Sequence, residues 1–549
     1  MKQKSSVQWI WRNAKGNFKY IVLLSVIEGL VSGGFVVFAL LSRTIINAAV
    51  DKGSIWVYVA LLAAVLSVQA VLNVLDSRIH TYVSGRLTIQ IQRTVFFSLY
   101  RKCWQSVNTY HSGDVLNRLT SDVTGVVTGV TTLIPRAVSL ATRLAASVTV
   151  LFVLDARFTL IMLAAGVIVL VFSKFYGKWM KKLHKEVQAA DGKTRSYMQE
   201  CVENWMAVQS FGGIGAIKTQ LKRLQEKYFK LTLRRTHIGN MSNTAVYLLF
   251  SGCYYAALVW GAISLAAGLI RIGDLTAFLQ IVSQIQTPFR SASGLLPGYY
   301  GMLASAERLI ELEQLEEERA GELPPDIYDR LSDICVENMT FSYDAAPVFL
   351  NTGLTIRKSE FVAFAGSSGI GKSTLFKLLL GFLEPSEGAI TLHCGDETVP
   401  LTAAARSLFA YVPQGNLILS GSIRQNITFF ADDIEETRIW AAAEAAEIAD
   451  FIRGLEQGLE TQLGERGLGL SEGQVQRLAV ARALLYGSPI LLLDEATAAL
   501  DEQTEARVLE NIRRMNGKTC LCISHRPPAL AACDRVIYIE NGKFVSHEQ

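Results

Sequence analysis

Hydrophobic positions follow two regimes along the chain. Up to about residue 305, long apolar runs alternate with basic stretches of helical patterning. From Glu307 onward, short strand-like apolar runs alternate with amphipathic ones, the pattern of a soluble α/β domain. A helix needs roughly 20 apolar residues to cross a bilayer. Six segments approach that length, 20–41, 55–75, 137–154, 159–175, 245–269 and 275–296, the fourth being short and the sixth polar. The expected organisation is an all-α six-helix transmembrane domain over 1–306, a linker over 307–330 and an α/β domain over 331–549.

The long links after the second and fourth spans keep helical patterning with few breakers. A thirty-residue helical extension projects roughly 45 Å, so each link reads as a protruding hairpin. Their turns are expected near Tyr110-His111-Ser112-Gly113-Asp114 and Ser210-Phe211-Gly212-Gly213-Ile214. Span six, drawn at 100° per residue, separates Gln280, Ser283, Gln284, Thr287, Arg290 and Ser291 from Phe278, Ile281, Val282, Ile285, Phe289 and Ala292. Polar groups are costly in hydrocarbon, so the first face is expected to line a substrate cavity or to pack on protein. Glu28 is open to substrate contact, pairing with an arginine or a protein-facing position, and Pro288 and Pro297 are expected to kink or end helical segments. Trp9 and Trp11, with Arg12 and Lys15, suggest a short interfacial helix ahead of span one.

Charge fixes an orientation. Lys2, Lys4, Arg12, Lys15 and Lys19 precede the first span, and 174–235 is densely basic, whereas the links after spans one, three and five are short and carry little charge. The basic side is expected to be cytoplasmic, which places the N-terminus and, after an even number of spans, the α/β domain inside a multi-pass plasma-membrane protein. The first span reads as retained rather than as a cleavable signal. Only 19% of residues are charged and the net charge is +4, with no basic, aromatic-laced stripe, so a nucleic-acid partner is not expected. Eight scattered cysteines lack paired zinc-ligand spacing, and Cys520 and Cys522 read as buried thiols.

Chemistry enters with Gly366-Ser367-Ser368-Gly369-Ile370-Gly371-Lys372-Ser373-Thr374, a G-x-x-x-x-G-K-[ST] loop between a strand-like run and a helix-like run. Such a loop turns backbone N–H groups toward phosphate oxygens at a helix start. Lys372 is then expected on the β/γ-phosphates and Ser373 on Mg²⁺. The fold class sharpens accordingly to a six-helix membrane domain followed by an α/β P-loop nucleotide-binding domain. Farther on, Ile490-Leu-Leu-Leu-Asp494-Glu495 ends an apolar strand in two carboxylates: Asp494 to help hold Mg²⁺, Glu495 to orient and deprotonate water. Between them Leu470-Ser471-Glu472-Gly473-Gln474 opens a helix and offers another phosphate-binding surface.

With these motifs the chain resembles the ATP-binding cassette transporters, in particular exporter-type half-transporters, over nearly its whole length. The resemblance implies ATP and Mg²⁺ as ligands and ATP hydrolysis coupled to translocation. It implies that Tyr343 stacks on adenine, that Gln414 contacts Mg²⁺ and water, that His525 contacts the γ-phosphate, and that Gly464-Glu465-Arg466-Gly467 meets the helical hairpins. It also implies that Ser471, Gly473 and Gln474 bind ATP held by a second half-transporter, with Ala499-Leu500-Asp501 crossing the dimer interface. A homodimer is the favoured arrangement and a heterodimer the alternative, because Glu472 stands where the family usually has glycine. The expected function is export of an amphipathic small molecule, lipid or peptide by alternating access. Import of a metal-chelating small molecule, or an ATP-gated channel or regulator, stand as alternatives. A fused leader-trimming peptidase domain is not expected, and the last helical stretch usual in such exporters is not apparent after Lys543.

Overall fold

The structure is a computed structural model. It describes residues 2–318, 321, 323–324, 326–343, 346–415, 418–464, 469–515 and 517–547. The chain divides into two compact units, Met1–Tyr100 with His111–Gln314, and Arg101–Tyr110 with Leu315–Gln549.

Helices build the first unit. Among the described residues they are Lys2–Ala14, Phe18–Val50, Trp56–Leu99, Ser112–Leu154, Ala156–Glu203, Trp205–Ser210, Ile214–Ala266 and Ile272–Glu313. Four of them contain stretches long and apolar enough to cross a membrane: Ser5–Val50 (which takes in the end of the first helix), Trp56–Leu99, Ser112–Leu154 and Ile214–Ala266. The expected spans 159–175 and 275–296 lie within the long helices Ala156–Glu203 and Ile272–Glu313. Two π-helical segments, Arg118–Asp122 and Gly129–Leu133, widen the Ser112–Leu154 helix.

The apolar face of the last helix explains its patterning. Phe278, Ile281, Val282 and Ile285 pack with Ala39, Leu151, Phe158 and Ala257, so five helices converge on one core. On the opposite face Ser283 is exposed and Gln284 donates to the Phe35 carbonyl at 2.8 Å. The side chains of Thr287, Phe289, Arg290 and Ala292 lie outside those described. Neither Pro288 nor Pro297 ends the helix, which continues to Glu313. Each proline removes only one backbone donor. Gly129 approaches Met302 so closely that a Cβ would lie 2.3 Å from its sulfur. Nearby, the buried Asp122 carboxylate receives the Arg308 guanidinium and the Ser305 hydroxyl.

A helix, Lys2–Ala14, forms where the interfacial one is expected, and its two tryptophans differ. Trp9 is buried and donates through Nε1 to Glu313 at 2.9 Å, whereas Trp11 is half exposed and meets Phe18 edge-on. The acidic stretch Glu311–Glu318 is ion-paired, with Glu311 and Glu317 still exposed. Glu311 pairs with Arg118, Glu313 with Arg12, Glu317 with Lys102 and Glu318 with Arg406. Of the expected linker, 307–313 finishes a helix and Ile327–Arg330 forms another, while Pro325 lies outside the described residues.

The second unit is α/β. Its strands are β1 (Asp333–Ser342), β2 (Pro347–Arg357), β3 (Phe361–Ala365), β4 (Glu387–Cys394), β5 (Glu397–Pro400), β6 (Phe409–Val412), β7 (Gly421–Ser422), β8 (Gln462–Leu463), β9 (Ile490–Asp494), β10 (Thr519–Ile523), β11 (Arg535–Glu540) and β12 (Lys543–His547). An antiparallel sheet runs β2-β1-β4-β5, and a larger sheet runs β12-β11-β3-β10-β9-β6, parallel apart from the β11–β12 hairpin. Strands β3, β9 and β10 are buried throughout, as continuous apolar runs in a parallel sheet require. The short segment Arg101–Tyr110, between the second and third long helices, belongs to this unit. Cys103 N–H donates to the Glu316 carbonyl, Lys102 pairs with Glu317, and the Trp104 ring lies against Phe382 with Lys377 Nζ above it. This first reversal begins at Tyr100, before the expected turn at 110–114; the second, after Trp205–Ser210, includes Gly212 and matches its expectation.

Candidate nucleotide site

Parallel α/β sheets collect ligands beyond the carboxyl ends of their strands. Here β3, β9, β10 and β6 end together, and the residues just past them form the site. After β3 the loop Gly366–Gly371 leads directly into the helix Lys372–Leu379. Gly371 needs its missing side chain: at φ 114° it adopts a left-handed conformation, and a Cβ would sit 2.5 Å from Val348. Ser367, Ser368 and Gly369 are exposed around the loop, and Ile370 N–H closes it onto the Ser367 carbonyl. Buried Lys372 reaches back along the loop and donates to the Gly366 carbonyl at 2.7 Å and the Ser367 carbonyl at 2.9 Å. Burial lowers its pKa, and the nearby Glu495 and Asp494 charges oppose that fall.

Past β9, Asp494 and Glu495 diverge. Asp494 is 2% exposed and accepts from the Ser373 hydroxyl at 3.1 Å and the Tyr411 hydroxyl at 3.2 Å. Burial raises its pKa, while those two hydroxyls pull it back. The Tyr411 phenol is pushed up by burial and then by Asp494, so it stays a donor. Glu495 holds a left-handed φ of 52°, fixed by its N–H donating to the Ile523 carbonyl on β10. Non-glycine residues in that region carry roughly 1–3 kcal/mol of strain and cluster at functional sites. Its carboxylate accepts from Gln414 Nε2 at 2.5 Å. Ser373, Asp494 and Gln414 thus present oxygen donors of the kind that suit a hard divalent ion such as Mg²⁺. Tyr343, 45% exposed beyond β1, meets Phe341 edge-on and lies 3.3 Å by its hydroxyl from Thr374. His525 follows β10 and is exposed.

Ser471, Gly473 and Gln474 form a different surface. Ser471 caps the helix Glu472–Tyr486: its hydroxyl accepts from Gln474 N–H, and the Gln474 side chain accepts from Ser471 N–H. Gly473 lies so near Ala499 that a Cβ would be 3.0 Å from that carbonyl, and Gln476 accepts from Ala499 N–H. Glu472 is exposed in the helix's first turn. Among the described residues no hydrogen bond, ion pair or ring contact joins Ser471–Gln474 to Gly366–Thr374. Glu465, Arg466 and Gly467 lie outside the described residues.

Two residues escape the motifs. Tyr411, on Asp494, carries no signal beyond its strand pattern. Arg526 donates to the carbonyls of Thr497 and Leu500 and pairs with fully buried Glu505, which also accepts from Thr497. This clamp holds the 497–501 loop, and only its place after His525 hinted at it.

Sequence profiles place these features in a family. The profile of the ABC transporter transmembrane region matches residues 18–289, and that of the ABC transporter matches residues 349–498. A probable ABC transporter ATP-binding/permease protein of Haemophilus influenzae is 31% identical, over 84% of each chain. The chain belongs to the ABC transporter family. It is a multi-pass membrane protein with an ATP-binding, ATP-hydrolysing cassette. An ATP-dependent lipid A-core flippase of Syntrophus aciditrophicus is 28% identical over 85% of this ABC transporter and 78% of its own length. In fold it is similar to a bacterial Atm1-family ABC exporter solved with ATP bound: the TM-score is 0.82 over 96% of this chain and 94% of that one, at 22% identity.

Proposed function

We propose that this ABC transporter is one half of an ATP-driven exporter that works as a dimer and moves an amphipathic small molecule, lipid or peptide by alternating access. The observation that carries the reading is the split nucleotide surface. The loop Gly366–Thr374 gathers with Asp494, Glu495 and Gln414, while Ser471, Gly473 and Gln474 stand apart on their own helix start. A second copy supplies the missing face, a homodimer being the favoured arrangement, and nucleotide binds the closed pair more tightly than the open one.

In this reading the loop N–H groups and Lys372 hold the phosphates, and Tyr343 stacks on adenine. Ser373, Asp494 and Gln414 would hold Mg²⁺, which would supply positive charge to offset that of the phosphates. Glu495, positioned by Gln414 and by its own strained backbone, orients and deprotonates water, and His525 contacts the γ-phosphate. Partner Ser471, Gly473 and Gln474 complete the enclosure. The cassette and N-terminus face the cytoplasm of a plasma-membrane protein, as the basic loops support. Exposed Ser283 on the polar face of helix Ile272–Glu313 supports a role in lining the cargo path. The lipid A-core flippase among the relatives supports a lipid-like cargo.

Inside-out proteoliposomes with ATP added outside test the proposal. Accumulation of a labelled amphipathic lipid in the lumen, abolished by Glu495→Gln, is expected. Efflux from the lumen, or equilibration that needs no hydrolysis, contradicts it.

A further inference from the structure

Outside the nucleotide site, one cluster on the antiparallel sheet combines sulfur, nitrogen and carboxylate donors. Along β1, Ile334 and Val336 point into the core at 1% exposure each. Strand alternation therefore puts Asp333, Cys335 and Glu337 together on the outer face. In the antiparallel register with β4, His393 stands opposite Asp333 and Thr391 opposite Cys335. The donor atoms of Cys335, Glu337 and His393 all fall within 4.8 Å of one another. Cys335 Sγ is 3.8 Å from Glu337 Oε1.

The imidazole is already oriented. Its Nδ1 lies 2.9 Å from Asp333 Oδ1, and Nε2 lies 3.4 Å from Thr391 Oγ1. Metal-binding histidines are held in this way, with one ring nitrogen on a carboxylate and the other turned to the metal; here Nε2 would exchange its long Thr391 contact for the ion. Core packing beneath fixes both strands, so the three donors are presented from a rigid sheet rather than from a loop. Cys335 and His393 are half-buried and Glu337 is exposed, which leaves an approach from solvent.

We propose that Cys335, Glu337 and His393 bind a divalent ion of the zinc type on this face, with Asp333 as the positioning carboxylate and water in the fourth place. The donor set separates zinc from magnesium and calcium, which prefer oxygen alone. Zinc bonds of about 2.0–2.3 Å place tetrahedral donors roughly 3.3–3.8 Å apart, so the cluster closes by about 1 Å through side-chain rotation. Binding would tie β1 to β4 across their outer face, on the strand that leads to Tyr343. None of these residues contributes to the nucleotide site described above.

Co²⁺ titration of the full-length transporter in lipid discs provides the test, with Zn²⁺ as competitor and thermal unfolding as a second readout. One Co²⁺ per chain with a thiolate-to-metal charge-transfer band is expected, displaced by Zn²⁺. Cys335→Ser and His393→Ala should each lose the band and the Zn²⁺-dependent rise in Tm while keeping ATP hydrolysis. Asp333→Asn should weaken Zn²⁺ binding by about 10- to 100-fold. Absence of the band in the parent protein, or its persistence in either Cys335→Ser or His393→Ala, overturns the site.

Discussion

The cassette's two proposed nucleotide faces are built in opposite ways. On the loop face, side chains arrive from three strand ends and lock one another: Ser373 and Tyr411 on Asp494, Gln414 on Glu495, Lys372 on its own loop. On the signature face, Ser471 and Gln474 satisfy only each other and the helix start, with exposed Glu472 between them. The first face has its chemistry assembled within one chain. The second has a docking surface and no chemistry of its own. Under the proposed function, a division of this kind makes turnover depend on apposition of the two faces.

The largest expected effect breaks the loop face. Glu495→Gln removes the base but keeps the Gln414 contact, so ATP hydrolysis should fall by about 10²- to 10⁴-fold while nucleotide binding, followed by a fluorescent ATP analogue, persists. Near-normal turnover would remove Glu495 from the role proposed for it. Gly371→Ala should follow. Its Cβ meets Val348 at a left-handed φ, so a stability loss of about 1–3 kcal/mol, read in chemical unfolding, is expected together with weakened ATP binding.

The clamp between the faces comes next. Arg526→Ala leaves Glu505 buried without its cation. Removing one partner of a buried pair costs about 3–5 kcal/mol, and the partial exposure of Arg526 brings the expectation to about 2–3 kcal/mol. The same group sets a pH dependence. Burial raises the Glu505 pKa above its unfolded value, with Thr497 and Arg526 pulling it down. The folded state therefore holds this proton more tightly than the unfolded state. The resulting stabilisation is full below the ordinary glutamate range and is lost as pH rises through the folded value. Glu505→Gln should flatten that part of the stability–pH curve, and an unchanged slope would assign the dependence elsewhere.

The smallest effect sharpens the comparison. Glu472→Gly removes a carboxylate beside the proposed polyanion site, worth about 1 kcal/mol in water at close range, so a few-fold rise in ATP hydrolysis is expected. A fall in rate would mean that the glutamate serves the site instead of opposing it.

These contrasts also mark what the residue order could reveal. The glycine loop, Asp494-Glu495 and the capped Ser471 helix are local devices, each confined to a few consecutive residues, and they were legible. Two apolar periodicities exposed the helical and α/β halves for the same reason. Tyr411 on Asp494, Arg526 on Glu505 and the cross-strand donors Cys335, Glu337 and His393 depend on register between distant strands and loops. The ion pairs of the acids in 311–318 also escape residue order, because their cations, Arg118, Arg12, Lys102 and Arg406, lie far away in sequence. At Pro288 and Pro297 the helix continues, so of the two expected outcomes, a kink or an end, the end does not occur.

Complementation between two inactive copies tests most directly that one catalytic site needs both chains. Lys372→Ala damages the loop face and Ser471→Ala the signature face. Each alone should hydrolyse ATP poorly. Mixed and reassembled, half of the random pairs contain one of each, and every such pair keeps one intact site, so up to about a quarter of parental activity should return. If each site is complete within a single chain, mixing will restore nothing, and the shared-site account fails.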